Sequence, residues 1–298
     1  MDAPFPPAAV PLDPQGLLAL RAGSAPGSGV ALLDVREDLD FHAGHLASSG
    51  HVPVADLSRR RTELPPRDHP VIVLADSAER ARDAAGSLRD LGYASVAWLD
   101  APLATLGPLA ADRGPAARLW RPAAFLAQIV DQIPRGPAAD LAAGSGRDAA
   151  FLALHGFDVE AWDESPEALA MARALAERSG VRVTTREADL ESRAFALPEA
   201  AYRLVTCFRF LHRPLFATMV RALVPGGHLV YETYRVGQER FGRPRRRRFL
   251  LDRGELRREF ETRGLEVLRF EEPDPEGGPI TSRLWGRRPP GPTAAPGL

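Results

Sequence analysis

The chain of 298 residues has no lysine and no asparagine, and its single cysteine is Cys207. Each gap removes a class of chemistry. Without lysine there is no Schiff-base catalysis and no lysine-bearing phosphate loop, and any motif that requires asparagine is excluded. One cysteine cannot form an intrachain disulfide, which fits a reducing compartment. No sign of charge dominates: the formal net charge is −1 and the pI is near 6.7. That balance argues against a protein whose main task is to coat nucleic acid. No apolar run approaches the roughly 18 residues of a membrane span. The start, Met1-Asp2-Ala3-Pro4-Phe5-Pro6-Pro7, puts an acid and prolines where a signal peptide needs positive charge and an apolar core. The expectation is a cytoplasmic protein without membrane contact. Lysine and asparagine have AT-rich codons, so the same gaps point to a GC-rich bacterial genome.

What remains is ordinary globular material, 45% hydrophobic and 26% charged, enough for about two domains. Residues 1–27, rich in Pro, Gly and Ala, read as a flexible segment with a short helical pattern at Leu17 to Arg21. Residues 28–106 alternate as a small α/β domain. Val30 to Val35, Val71 to Ala75 and Ala94 to Leu99 are apolar strands, and Glu79 to Leu91 has helical spacing stopped by Gly92. Residues 107–118 read as a linker. Residues 119–288 form a second α/β domain, opened by an amphipathic helix over 120–133. Seven strands are predicted near 138–143, 157–163, 181–186, 202–208, 227–234, 265–270 and 281–286. Helices are predicted at 147–155, 166–179, 213–223 and 252–263. Residues 289–298 read as a disordered tail.

The most informative stretch is Asp140-Leu141-Ala142-Ala143-Gly144-Ser145-Gly146-Arg147-Asp148, a strand, a Gly-rich turn and the start of a helix. The turn lets a ligand approach the backbone, and the helix offers unpaired N–H groups behind it. The next strand ends in Asp163, a carboxylate that can accept both hydroxyls of a ribose. This is a nucleoside-cofactor layout in a doubly wound domain. The turn alone does not choose the cofactor, because Gly144-Ser145-Gly146 followed by Ala149 also fits a nicotinamide or flavin pattern. Three further features select: Asp140 before the turn, Asp189 at the end of the third strand, and the Leu223-Val224-Pro225-Gly226-Gly227-His228 stretch, which reads as helix end, turn and strand.

Together these resemble a class I S-adenosylmethionine-dependent methyltransferase over roughly Trp120 to Arg288. The nearest group is the small bacterial methyltransferases classed with tellurite-resistance proteins, which carry Gly-x-Gly-Arg as in Gly144 to Arg147. Ala142 stands where the family's first motif has its first glycine. The resemblance implies a seven-stranded Rossmann-like domain with S-adenosylmethionine as cofactor. Asp163, followed by Glu164, would hold the ribose, and Asp189 with Leu190 the adenine. Asp140 and Ala142 stand in the family's first motif, Gly144 and Gly146 would let the backbone meet the methionine moiety, Arg147 would pair with its carboxylate, Met171 and Leu190 would be wall residues, and Phe208 is a further cofactor-side candidate.

Methyl transfer is an in-line displacement, so the acceptor must be positioned, shielded from water and, for many acceptors, deprotonated. Residues for this belong at the C-terminal ends of the fourth and fifth strands. Arg209, His212, Glu232 and Tyr234 are the candidates. Histidine is the side chain whose ordinary proton exchange lies near neutrality, so His212 suits a general base; its plain structural reading is a helix cap before Pro214. Glu232 suits a base or a cation site; its plain reading is a salt bridge with an arginine. Cys207 lies in an apolar strand and reads as an inert thiol. Phe208-Arg209-Phe210-Leu211 lacks the Asp/Asn-Pro-Pro-Tyr motif of enzymes that methylate the amino groups of adenine or glutamine. The run Arg243-Pro244-Arg245-Arg246-Arg247-Arg248 is either a solvated loop or a site for an anionic acceptor. RNA is the weaker version, because no aromatic platform interleaves the run. A small-molecule acceptor is expected, with no metal.

Leu32-Leu33-Asp34-Val35-Arg36-Glu37 followed by Gly44-His45-Leu46 resembles the opening of the rhodanese fold, over roughly residues 28–105. A working rhodanese carries a persulfide-forming cysteine at the start of its active-site loop; that position is Ala75 in Ala75-Asp76-Ser77-Ala78-Glu79-Arg80. Without a thiol in this domain, sulfur transfer is excluded on chemistry, and a structural or regulatory module is expected. His42, His45 and His51 lack a carboxylate or thiol to complete a metal site. The leading expectation is a methyltransferase with an inactive rhodanese-like domain. The alternatives are a non-catalytic sensor or scaffold that binds the cofactor, and a nicotinamide oxidoreductase.

Overall fold

A computed structural model describes residues 9–22 and 29–291. The chain divides into two compact units, Met1–Arg121 and Pro122–Leu298.

The first unit contains β1 (Val10–Leu12), α1 (Pro14–Ala22), β2 (Ala31–Asp34), α2 (Asp38–Ala43), β3 (Ser49–His51), β4 (Val71–Leu74), α3 (Ala78–Asp90) and β5 (Val96–Leu99). Its five strands form a parallel sheet in the order β1-β5-β4-β2-β3. Continuous apolar runs such as Val71–Leu74 are buried throughout, as strands covered on both faces must be. One face packs Leu33, Val71 and Val73 on Ala81, Ala84 and Leu88 of α3. The other packs Leu32, Ile72 and Leu74 with Leu17 of α1. Segment 1–27, expected to be flexible, thus contributes β1 and α1 within its described part. β1 takes an edge position that an isolated three-residue run does not announce. The 107–118 stretch, expected to be a linker, is tied to the first unit by the His45–Asp112 bridge, with N–H···O distances of 2.9 and 3.0 Å. The expected tail 289–298 lies outside the described residues from 292 onward.

The second unit begins with α4 (Ala124–Ile129). It continues through β6 (Pro137–Leu141), α5 (Arg147–Leu154), β7 (Asp158–Asp163), α6 (Pro166–Arg178), β8 (Thr184–Glu187), β9 (Tyr202–Phe208), α7 (Leu215–Ala222), β10 (Leu223–Tyr234), α8 (Glu255–Thr262), β11 (Glu266–Glu271) and β12 (Thr281–Arg287). The sheet has seven strands in the order β11-β12-β10-β9-β6-β7-β8, and only β12 runs antiparallel to its neighbours. It is a Rossmann-like α/β sheet. Helix signals lie where the chemistry requires: Ser165 accepts the Ala168 N–H at 3.1 Å, Pro166 opens α6, and Gly180 follows its end. Phe216, Tyr231 and Phe260 lock α7, β10 and α8 together with ring centroids 4.9–5.9 Å apart. Each such burial contributes roughly 1.5–3 kcal/mol. At the β7–β9 side, the Tyr202 hydroxyl donates to Glu160, which also receives Arg186 at 2.7 Å.

One expectation is corrected here. The strand start moves: β10 begins at Leu223, and Pro225-Gly226-Gly227, with Gly226 at φ +76°, makes its turn as a bulge inside that strand. Leu223 pairs with Tyr202, and the register shifts before His228 pairs with Leu204. The bulge is fastened from the other side by Gly226 N–H to Arg288 O at 3.0 Å and Arg288 N–H to Gly227 O at 2.8 Å.

Candidate functional site

The strand order reverses between β6 and β9, so their C-terminal ends open the crevice where ligands bind in such sheets. The Gly-rich turn lies on that edge. Ala142, Gly144 and Gly146 have φ of +55°, +53° and +77°. Nothing lies within 4 Å of a Cβ built on Gly144, whereas one on Gly146 would meet Ala172 Cβ at 2.5 Å. Gly146 therefore serves the contact between α5 and α6, and Gly144 leaves open space over the turn.

Asp163, the last residue of β7, fixes the turn. One carboxylate oxygen accepts the Gly144 N–H at 2.8 Å and the other accepts the Ser165 N–H at 3.0 Å. Each oxygen keeps a lone pair for another donor. Asp140, 2% exposed, accepts the Thr206 hydroxyl at 2.8 Å through Oδ1, while its Oδ2 is buried without a hydrogen-bond partner among the described residues. Burial first, then the Asp148 carboxylate, push the Asp140 carboxyl well above the usual range, and Asp163 adds to the repulsion. Asp148, in the first turn of α5, is also raised by burial. The Ala123 N–H, donated at 2.6 Å, and the charges of Arg147 and Arg209 oppose that rise. Three carboxylates thus share the mouth of the turn. Asp148 was not singled out by its position in the sequence, where an acid in a first helical turn reads as a dipole partner. Only its tertiary contact with Ala123 distinguishes it.

Glu164 is exposed, and Leu190 is buried. Asp189 lies two residues beyond β8 and is exposed, its Oδ1 accepting the Glu191 N–H at 2.8 Å. Phe208 ends β9, and Arg209 follows with φ +58°, its N–H donated to the Glu232 carbonyl at 2.7 Å. This positive φ in a bulky residue stores strain of the kind found at functional edges. Glu232 is engaged by Arg283 Nε at 3.0 Å, a strand-end ion pair between β10 and β12. His212 and Tyr234 have no side-chain hydrogen bond among the described residues, and the His212 carbonyl accepts Leu215 N–H at the start of α7. The sheet therefore brings all four acceptor-side candidates to one edge without joining their side chains into a relay. Cys207 is fully buried, and burial pushes its thiol up.

In the first unit, Ala75 follows β4, and Ser77 caps α3 by accepting the Arg80 N–H at 3.2 Å. Arg80 is occupied by Glu37 at 2.5 Å and Asp76 at 3.0 Å. His45 and His51 stack on the two sides of Phe41, with centroids 4.0 and 4.2 Å away. Among the described residues no cluster of His, Cys, Asp or Glu is arranged to hold a metal ion. Nor is any helix there long and apolar enough to cross a membrane.

Residues 138–227 match the methyltransferase-domain family, and residues 19–101 match the rhodanese-like-domain family. The chain contains a methyltransferase domain and a rhodanese-like domain. It is 38% identical over 99 residues to the ubiquinone biosynthesis O-methyltransferase of Serratia proteamaculans (strain 568), covering 32% of this chain and 41% of that protein. The protein of the same name from Photorhabdus laumondii is 35% identical over the same length, again 41% of its own. The chain thus spans less than half the length of these curated relatives. Among solved structures it is similar to an S-adenosylmethionine-dependent methyltransferase from Mesorhizobium loti. That match has 22% identity and a TM-score of 0.46, covering 56% of this chain and 98% of that one. It is also similar to TehB from Haemophilus influenzae, with 17% identity and a TM-score of 0.47, covering 62% and 65%.

Proposed function

We propose that the methyltransferase domain transfers a methyl group from S-adenosylmethionine to a small acceptor, and that the rhodanese-like domain has a structural or regulatory role. The observation that carries the cofactor reading is the set of carboxylates at the Gly-rich turn. A dinucleotide would put its diphosphate at this turn and helix start, against Asp140 and Asp148, whose rise Arg147 and Arg209 oppose without cancelling. A methionine ammonium and a sulfonium suit the same field, and the unpartnered Asp140 Oδ2 suits a cationic hydrogen-bond donor. The open space over Gly144 and the free lone pairs of Asp163 fit a nucleoside, with Asp163 and Glu164 at the ribose and Asp189 and Leu190 at the adenine. Arg147 would meet the methionine carboxylate, and Ala142, Gly146 and Phe208 would shape the wall.

When bound, the cofactor supplies an electrophilic methyl group. His212, on the connection that follows β9, takes the acceptor proton. Arg209, held in its strained conformation by the Glu232 carbonyl, orients the acceptor, and Tyr234 closes the edge beside it. Glu232, fixed by Arg283, sets the local charge rather than moving a proton. The absence of cysteine from the rhodanese-like unit supports its non-catalytic role. Calorimetric titration of the full chain with S-adenosylhomocysteine, NAD and ADP tests the cofactor reading. S-adenosylhomocysteine is expected to bind wild type at least tenfold more tightly than the Asp163→Ala variant. Binding of NAD without binding of S-adenosylhomocysteine sinks the reading.

A further inference from the structure

In the methyltransferase unit many arginines are answered by an acid, among them Arg186 by Glu160, Arg213 by Glu255, Arg235 by Asp274 and Arg263 by Glu259. Arg243, Arg245 and Arg246 are not; they are exposed, and their side chains have no hydrogen bond or ion pair among the described residues. Between residues 236 and 252 there are six arginines and two acids, a formal charge of +4. Both acids are occupied. Glu239 accepts the Gly237 N–H at 2.9 Å, and Asp252 is paired with Arg247.

The backbone that displays these arginines is anchored. The loop leaves β10 after Tyr234 and returns to the same place, with Leu251 N–H donated to Tyr234 O at 3.0 Å and Val236 N–H to Leu251 O at 2.9 Å. In its middle the buried Gln238 donates to the Arg243 carbonyl at 3.3 Å and accepts the Ile280 N–H at 2.8 Å. Arg213, the residue after His212, donates to the carbonyls of Arg248 and Leu250 at 3.1 and 3.0 Å. The loop is therefore fastened to both connections that carry the acceptor-side candidates. A loop this long inside a compact domain calls for a role. Guanidinium forks match oxyanions in pairs and keep their charge at any physiological pH. Phe241 and Phe249 flank the run, but Arg240 and Arg248 lie over their rings at 5.5 and 4.5 Å, which withdraws those faces from base stacking.

We propose that Arg243, Arg245 and Arg246 form a recognition site for a multiply charged oxyanion on a small methyl acceptor, whether phosphate, diphosphate or polycarboxylate. The proposal rests on the methyl-transfer reading and narrows its substrate class. Its test is titration of the full chain with inorganic pyrophosphate, with and without S-adenosylhomocysteine, for wild type, R243Q/R245Q/R246Q and the charge-matched control R182Q/R257Q/R258Q. The first variant is expected to lose on the order of tenfold in pyrophosphate affinity. The control should retain it, and both should bind S-adenosylhomocysteine as wild type does. Equal loss in both variants, or none in the first, overturns the site. Preference of the same arginines for a single-stranded RNA or an anionic lipid vesicle, by more than tenfold over pyrophosphate, overturns the small-acceptor assignment. Loss of S-adenosylhomocysteine binding by wild type would strike the cofactor reading alone, because pyrophosphate binding is read separately.

Discussion

Asp140 is the residue where stability and ligand binding pull in opposite directions. Its carboxyl is raised by burial and by Asp148, so the folded protein resists its ionisation. A raised acid leaves stability undiminished while the group is protonated in both states, below about pH 4. Stability is then lost as pH climbs toward the folded-state value. Asp140→Asn keeps an oxygen for the Thr206 hydroxyl and removes the charge. At pH 7 it should raise Tm, by roughly 2–4 °C for each kcal/mol relieved. The gain should shrink toward pH 4, as followed by thermal scans at several pH values. The same variant should weaken the affinity for a cationic cofactor, because the unpartnered Oδ2 is the atom removed. A variant that is no more stable at pH 7 would mean that the carboxylate is solvated as it stands. The place of Asp140 and Asp163 beside the Gly-rich turn was legible in the sequence. Asp148 was not, because its partner Ala123 lies 25 residues away and spacing carries no information about that contact.

At the scale of the element, the two glycines of the turn do different work, and substitution separates them. Gly146→Ala forces a methyl into the backbone and side chain of Ala172 at 2.8 and 2.5 Å, at a φ that disfavours any side chain. It should destabilise the unit by about 2–4 kcal/mol, read from the urea midpoint. Gly144→Ala adds a methyl to open space, so it should cost only the conformational strain of about 1 kcal/mol while blocking S-adenosylhomocysteine. Equal destabilisation by the two would contradict this division. The central strands β6, β9 and β10 of the second unit were legible because buried parallel strands write themselves as apolar runs broken by glycine and capped helices. What escaped was decided by tertiary pairing. β3 is Ser49-Gly50-His51, polar residues held in a sheet by the neighbouring β2, and β1 gains its place only by pairing with β5. The turn at Pro225-Gly226-Gly227 hid the true start of β10, since the pairing of Leu223 with Tyr202 before it shows only with the partner strand in place.

Across the whole molecule, the two units differ in what their sequences allow. The rhodanese-like sheet positions a loop whose first residue is Ala75 and whose arginine is already paired, whereas the methyltransferase sheet gathers three carboxylates and four polar candidates on one edge. The arginine-only choice of cation has a molecule-wide result when joined to burial. Guanidinium does not titrate below about pH 12. Cys207, Tyr202 and Tyr231, groups that would ordinarily lose protons between pH 8 and 10, are all pushed up by burial. Electrophoretic mobility should therefore change far less from pH 8.5 to 10 than that of a lysine-bearing protein of this size, which drifts steadily toward the anode. The protein is a poor buffer across the mildly alkaline range, and its surface potential there is set by its fold and composition rather than by the solution.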